Sequence, residues 1–182
     1  MVTAAKPKIG GAVYRAPSGT TLPTDATTAL ANTFIAIGYN TEDGVVRAVE
    51  KDTETVKAWG GDTVLVLQNS RTETFNFKML DAHSVEALKI YYGDSNVTGT
   101  ALATGISVKS NNAEQLGHVY VIDMIESGNT LHRIVIPNGI VTELEDISYV
   151  DNAAVAYGVT ITAVADSAGN SSYDYFKTSS AT

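Results

Sequence analysis

Alternation of apolar and polar residues, recurring along the chain from Phe34 onward, constrains the fold more than any other feature. The clearest case runs from Thr72 to Met79, where Phe75 and Phe77 share one face and polar residues occupy the other. A period of two residues, enriched in β-branched and aromatic side chains, is typical of half-buried β-strands. The pattern predicts a mainly β domain, a sandwich or barrel of about eight to ten strands.

The predicted strands follow one another with short turns between them. They cover residues 34–39, 45–49, 53–59, 63–68, 72–79, 105–108, 118–126, 130–136, 140–147, 155–164 and 173–176. Turns are expected at 40–44 and 137–139, because asparagine, glycine and proline cluster there. Ser127-Gly128-Asn129 predicts a β-hairpin between two long strands. We find no internal repeat and no second domain.

One segment, residues 81–92, departs from the alternation. Its apolar residues spaced for one helical face are Val85, Leu88 and Tyr92. Asp81 or Ser84 is suited to cap the N-terminus of a helix, and Gly93 stands where a C-terminal cap belongs. The segment predicts one α-helix flanking the β domain.

Residues 1–33 are rich in glycine, proline, threonine and alanine. This composition is typical of an extended N-terminal arm and loop, with at most a single helical turn at 24–30. A β-prone patch at 12–14 would suit docking onto another subunit. The predicted organisation is therefore an arm and loop at 1–33, one β domain at 34–176 and a polar tail at 177–182.

Composition narrows the classes of function. Only 18% of the 182 residues are charged while 44% are hydrophobic, a composition that fits equally a surface partly buried against partners and an ordinary soluble β domain rich in threonine, serine and alanine. Acidic residues outnumber basic ones by 20 to 12, for a net charge of −8. This balance argues against a protein that binds nucleic acid through its phosphates. We see no signal peptide and no segment of the roughly 20 apolar residues that a membrane span needs, so we expect a soluble protein made in the cytosol.

The chemistry-bearing residues do not form a recognisable catalytic or metal-binding motif. The chain has no cysteine, and its three histidines, His83, His118 and His132, stand in no metal-binding spacing. Nucleophile-elbow, phosphate-loop and dinucleotide motifs are not found. Carboxylates cluster at 42–43 and 143–146, but with 20 acidic residues such pairs arise by chance, so a glycosidase-like pair is disfavoured. We predict no enzyme activity, no metal and no cofactor.

Trp59, the sole tryptophan, ends an alternating segment just before Gly60 and Gly61. Two interpretations are favoured over a third, in which its ring would stack on a ligand. It either anchors the core or forms a contact at an interface, where tryptophan is enriched among the residues that dominate binding energy.

Several short segments of the sequence stand out together: KPK and GGA at 6–8 and 10–12, GY and EDG at 38–39 and 42–44, ETVKAWGGD at 54–62, YG at 92–93, NVTG at 96–99 and RIVIP at 133–137. This set of segments resembles the major tail proteins, or tail tube proteins, of long-tailed non-contractile bacteriophages. Together they run through nearly the whole chain. The segments are structural, and none carries catalytic residues.

The resemblance implies hexameric rings that stack into a tube whose lumen is lined by an inner sheet. The terminal arm and a long hairpin would reach the adjoining ring; here they correspond to residues 2–15 and to a hairpin within 44–62. Candidate inter-subunit contacts on these segments are Val2, Lys6, Pro7, Lys8, Val13, Tyr14, Arg15, Arg47, Lys57 and Trp59. Ring closure would also give partners to strand edges that otherwise invite aggregation.

An acidic lumen would repel DNA phosphates and let the genome slide through without specific binding. Candidate lumen-lining residues are Glu42, Asp43, Glu54, Glu143 and Glu145. The resemblance implies a structural virion protein and passive conduit for genome delivery, assembled in the cytoplasm of the bacterial host without insertion of this chain into a membrane. Its partners would be further copies of itself, a tape-measure protein and a tail terminator.

Other functions fit the same features less well. The chain could form the tube of a contractile injection or type VI-like secretion system, or a single ring as a decoration, joining or terminator protein. A carbohydrate-binding β-sandwich would need exposed aromatic residues, and aromatics are only 8% of the chain and fall mostly in strand patterns.

Overall fold

The computed structural model describes residues 2–8 and 12–179. These residues form eleven β-strands and one α-helix, which confirms the prediction of a mainly β fold with a single α-helix. The helix, α1, is Val85–Tyr92. The strands are β1 Ala5–Pro7, β2 Val13–Pro17, β3 Ile35–Ala36, β4 Asn40–Lys57, β5 Thr63–Met79, β6 Val97–Thr98, β7 Ser107–Val108, β8 His118–Glu126, β9 Thr130–Leu144, β10 Tyr157–Ala163 and β11 Tyr173–Thr178.

Nine of the strands form one antiparallel sheet in the order β3-β2-β8-β9-β10-β5-β4. Strand β1 lies along β8 beyond the end of β2, and β11 lies along β9 beyond the end of β10. β6 and β7 form a separate small pair. The hairpin predicted between β8 and β9 is confirmed, with Gly128 and Asn129 both at positive φ.

The turn predicted at 40–44 is wrong, because β4 continues through it as a bulge. Asn40 lies opposite Met79 and Val45 opposite Phe77, so five steps along β4 match two along β5. The extra residues are accommodated outside the ladder, with Gly44 at a φ of 67°. The polar composition that suggested a turn therefore belongs to a bulge.

The turn predicted at 137–139 is wrong for a similar reason. These residues lie inside β9, where the pairing with β8 is irregular: Tyr120 is opposite Ile136, and His118 is opposite Gly139. Proline has no N–H to donate, and it is tolerated where a bulge interrupts the ladder. A Cβ at Gly139 would lie 2.7 Å from side-chain atoms of Ile161 and Tyr120, so glycine is required where the strand passes this close to the core.

The helix begins and ends close to its predicted limits. Ser84 is the N-cap and accepts a hydrogen bond from the N–H of Ala87, while Gly93, at a φ of 94°, donates its N–H to Lys89 O at 2.8 Å. Its core-facing side chains are Ala87, Leu88 and Ile90, with Val85 and Tyr92 partly buried beside them. Residues 24–30 form bends and not a helical turn, and the Asp25 carboxylate accepts bonds from two successive threonine N–H groups there.

The main core lies between α1 and the curled sheet. Val13 of β2 and Phe77 of β5 belong to the same cluster although their strands are far apart in the sheet order, so the sheet wraps around this core. A smaller cluster occupies the other side of β8 and β9. Its members are Ala16, Phe34, Val119, Val121 and Val135, covered in part by Leu22 and Leu30.

Part of the predicted N-terminal arm belongs to the main sheet of the domain. Strand β2 lies between β3 and β8, and Val13 is fully buried in the main core. The body of the domain thus includes residues that the sequence assigned to the arm. At the other end, Lys177 and Thr178 belong to β11 and not to a tail. The predicted GG pair at 10–11 and the tail residues 180–182 lie outside the described residues.

Candidate assembly surface

The β4–β5 hairpin extends well beyond the core. At its base on β5, Phe75, Phe77 and Met79 are buried. From residue 46 to residue 72 every residue is exposed. We call this projecting part, residues 46–72, the ribbon. Because isolated two-stranded ribbons are marginally stable in water, this one would gain stability from docking onto another surface.

Strand β5 carries apolar side chains on both faces of the ribbon. Leu65 and Leu67 lie on one face and Val66 on the other, because successive side chains along a strand alternate. They are 50%, 44% and 59% exposed, respectively. A strand that is apolar and exposed on both faces is typical of an interaction surface.

The tip of the ribbon presents Trp59 to solvent. Its exposure is 106% of the reference value, so the interpretation of Trp59 as a core anchor is wrong. Gly60 and Gly61 turn the chain at φ values of 116° and 99°, which residues with a side chain rarely adopt. Across this turn, the Ala58 N–H donates a hydrogen bond to Asp62 O at 2.8 Å. A fully exposed tryptophan at the end of a ribbon suits the contact interpretation, which stays a prediction.

A buried carboxylate marks the root of the ribbon. Glu73 continues the core-facing row of β5 after Phe75 and is 1% exposed. Its hydrogen-bond donors are Arg47 at 2.5 Å, Ser172 at 3.0 Å, Arg71 at 3.1 Å, and Ser171. Burial by itself would raise the pKa of Glu73, but the hydrogen bonds from both serines and the charge of Arg47 outweigh it and lower that pKa. Glu73 is therefore held ionised inside the protein.

Arg47 connects the same root to the segment that enters β11. Its guanidinium binds Asp174 at 2.9 and 3.1 Å and Ser172 at 2.8 Å, and lies 5.5 Å above the ring of Phe75. Arg71 binds Ser171 at 2.8 Å in the same way. Arg47, predicted as an inter-subunit contact, thus bonds within its own chain.

The N-terminal strand presents its predicted contacts to solvent. Residues 5–7 pair with residues 124–126 of β8 and are all exposed, and Val2 before them is 98% exposed. Lys8 lies 3.6 Å from the buried carboxylate of Asp123, so it ties this strand to its own body.

Two predicted contacts, Val13 and Arg15, lie inside the subunit. Val13 is fully buried, and Arg15 is 6% exposed because its guanidinium bonds Asp94 and His118 at 2.7 Å and Glu86 at 3.4 Å. Their side chains are used within this fold, which corrects the prediction for these two residues. Tyr14, between them, is partly exposed, and Lys57 near the ribbon tip is exposed.

The five acidic candidates lie in three parts of the fold. Glu42 and Asp43 are exposed in the β4 bulge, Glu54 is exposed on the ribbon, and Glu143 is exposed near the end of β9. Glu145 is partly buried, and hydrogen bonds from Lys78 at 2.7 Å and from the Asn76 amide at 2.9 Å lower its pKa. Its charge is thus largely compensated within the chain.

The described residues contain neither a candidate metal cluster nor a candidate membrane-spanning helix. Among residues 2–8 and 12–179, no group of three or more histidine, aspartate or glutamate side chains could hold a metal ion. No helix in that part of the chain is long and apolar enough to cross a membrane.

Sequence reasoning missed two features of this surface. One is the uninterrupted apolar run 64–67, which breaks the alternation and could have indicated a strand covered on both faces. The other is Glu73, a charged residue in the inward-facing row of an alternating strand. Its position beside Phe75 was visible in the sequence, but its four donors come from segments up to 99 positions away.

Comparison with known proteins agrees with this geometry. The family described as phage tail tube protein matches residues 4–180, which include the sheet, the helix and the ribbon. No curated protein sequence matches the chain. The match confirms the resemblance of the short sequence segments to phage tail tube proteins. The chain therefore belongs to the phage tail tube protein family and is a structural, virion-type protein of the phage tail.

Proposed function

We propose that this chain forms the tail tube of a long-tailed, non-contractile phage. Copies close into hexameric rings, the rings stack, and the genome passes through the lumen into the host. The observation that carries the proposal is the ribbon, which is apolar on both faces and ends in the exposed Trp59. In the described part of the chain Trp59 is fully exposed and the apolar side chains of residues 65–67 are about half exposed, and a neighbouring copy in the next ring would cover them.

Ring closure is supported by the edges of the sheet. Strands β3 and β4 end the sheet order, so two different backbone edges are open among the described residues. Contact between unlike edges of successive copies is heterologous and closes into a ring when the rotation allows it. The six-fold number and the stacking come from the family resemblance.

The acidic charge supports a lumen that does not hold DNA. We propose that the exposed carboxylates Glu42, Asp43, Glu54 and Glu143 line it, with a smaller contribution from Glu145, which is paired with Lys78. Like charges repel the DNA backbone at short range, which favours sliding over binding. A tape-measure protein and a tail terminator would set the tube length, and assembly would take place in the host cytoplasm.

Electron microscopy of the purified protein tests the proposal. We expect stacked tubes of uniform diameter. Isolated rings would favour a joining or terminator role, and monomers at high concentration would contradict self-assembly.

A shortened variant tests the ribbon. Residues 53–69 would be replaced by Asn-Gly, because Asp52 and Ser70 are paired and a two-residue turn can join them. We expect a folded body that forms no tubes; tubes from this variant would contradict the role of the ribbon.

Deletion of residues 2–8 tests the arm separately. A longer deletion would remove Val13 and Arg15, which the body needs.

A further inference from the structure

We infer that Glu73 is a positioning residue for assembly, whose carboxylate holds the ribbon in one orientation on the body of the free subunit. The inference rests on the proposed function in one respect, since it takes the ribbon to be the part that docks onto another copy.

The position of Glu73 is the first argument. Met79, Phe77 and Phe75 point into the core from alternate positions of β5, and the next residue in that row is Glu73, also buried. Beyond it the strand is exposed. An ionised group buried at this point is costly unless every acceptor is satisfied, so its environment must be specific.

The origin of its partners is the second argument. Arg47 belongs to β4, Arg71 to β5, and Ser171 and Ser172 to the segment before β11. Arg47 also bonds Asp174 in β11. The bonds therefore join three separate segments, and a rotation of the ribbon about its root would break several of them together.

We call this set of hydrogen bonds to Glu73 the clamp. Because the ribbon is long, a small rotation at the clamp produces a large displacement at the tip. From Arg47 to Lys57 the strand spans about 33 Å at the usual rise per residue, so a rotation of about 10° at the root moves the tip by about 6 Å. A contact through Trp59 would not survive such a shift. Fixing the orientation in advance lowers the free-energy cost of docking, because the apparent affinity is proportional to the fraction of subunits that are oriented correctly.

The test combines a distance measurement with an assembly measurement. Because the chain has no cysteine, Asp62→Cys at the tip and Asn152→Cys in an exposed turn of the body provide two unique sites for nitroxide labels. Glu73→Gln keeps the shape of the side chain but replaces an acceptor oxygen by an NH₂ group facing donors. Glu50→Gln, exposed on the ribbon, is the matched control for the loss of charge.

Pulsed electron resonance on the soluble subunit should give a narrow tip-to-body distance distribution in the parent and in Glu50→Gln, and a broad one in Glu73→Gln. The critical concentration for tube growth should rise roughly tenfold in Glu73→Gln, if about a tenth of the subunits keep the docking orientation. A purely structural role would lower the melting temperature without broadening the distances of the folded protein. Equal widths and equal critical concentrations for the two variants would overturn the inference.

A second variant covers the case in which Glu73→Gln does not fold. Ser171→Ala with Ser172→Ala removes two donors and leaves the charges in place, and it should broaden the distribution to a smaller degree. An unchanged distribution would overturn the inference. If the parent protein forms no tubes, the proposed function fails, while the distance measurement still tests the clamp.

Discussion

The inner and outer halves of β5 belong to one continuous strand, but the inner half packs against the core and the outer half is exposed to solvent. Between residues 73 and 79 the inward-facing side chains are buried, and Phe75, Phe77 and Met79 contact the main core. Between residues 63 and 72 every side chain is exposed, although Leu65 and Leu67 are as apolar as those in the core. The two halves therefore have similar apolar content but different partners.

This difference shows how a single strand can serve both folding and assembly. The inner half is stabilised within the chain by burial of apolar surface. The outer half continues the same backbone ladder past the end of the core, with Glu73 at the boundary, and keeps apolar side chains that the body does not cover. Substitutions in the two halves should accordingly affect different measurements.

The largest expected effect is on folding from the inner half. Phe75→Ala should lower the free energy of unfolding by about 3–5 kcal/mol, because it removes a fully buried aromatic ring. Leu67→Ala in the outer half should change it by no more than about 0.5 kcal/mol. Urea denaturation of the soluble subunit, followed by circular dichroism, measures both. Similar losses in the two variants would show that the ribbon is covered in the free subunit.

Replacing a charged residue should also lower the free energy of unfolding in the body but not on the ribbon. Arg133 is 1% exposed, bonds Asp123 at 2.6 and 2.8 Å, and donates to the carbonyl oxygens of Asp25 and Thr28 at 2.9 Å. Arg133→Met would leave Asp123 buried with little compensation, so we expect a loss of about 3 kcal/mol in unfolding free energy. Lys51→Met on the ribbon is the control and should stay close to the parent. A neutral Arg133→Met would mean that solvent reaches Asp123.

The outer half should instead determine assembly. Leu65→Ser with Leu67→Ser removes the apolar side chains from one face of the ribbon. Each is already about half covered, so docking gains about 1 kcal/mol per residue, and the pair about 2 kcal/mol per subunit. We expect the critical concentration for tube growth to rise about 30-fold with unfolding unchanged. Val66→Ser on the opposite face should raise it by about fivefold, since one residue is lost.

Leu102→Ser with Leu116→Ser is the matched control for this double substitution, because both leucines are exposed in the body, at 62% and 78%. Assembly of this control should resemble that of the parent. If Val66→Ser assembled normally while the double variant did not, only one face of the ribbon would dock.

Much of the body could be predicted from sequence because its determinants are local. Alternation at Phe75 and Phe77, and caps at Ser84 and Gly93, report contacts and hydrogen bonds made by nearby residues. The bulge after Asn40 could not be predicted, since bulges and turns use the same polar and glycine-rich residues, and only the partner strand decides between them. The burial of Arg15 and Glu73 depends on partners far along the chain, which periodicity does not report.

The smallest expected effect concerns pH, and it again belongs to the body. Burial would raise the pKa of Asp94, but hydrogen bonds from His118 and Arg15 and their charges outweigh it and lower the pKa to about 2. The pKa of an aspartate in the unfolded chain is about 3.9, so Asp94 stabilises the fold above that pH, and this stabilisation is lost as the pH falls through about 2. The unfolding free energies of the parent and of Asp94→Asn should therefore converge between pH 4 and pH 2. Leu67→Ala, which leaves every titrating group in place, should keep the parent's pH slope. A difference between parent and Asp94→Asn that widened toward pH 2 would contradict the assignment, because it would require Asp94 to bind its proton more tightly in the folded protein than in the unfolded chain.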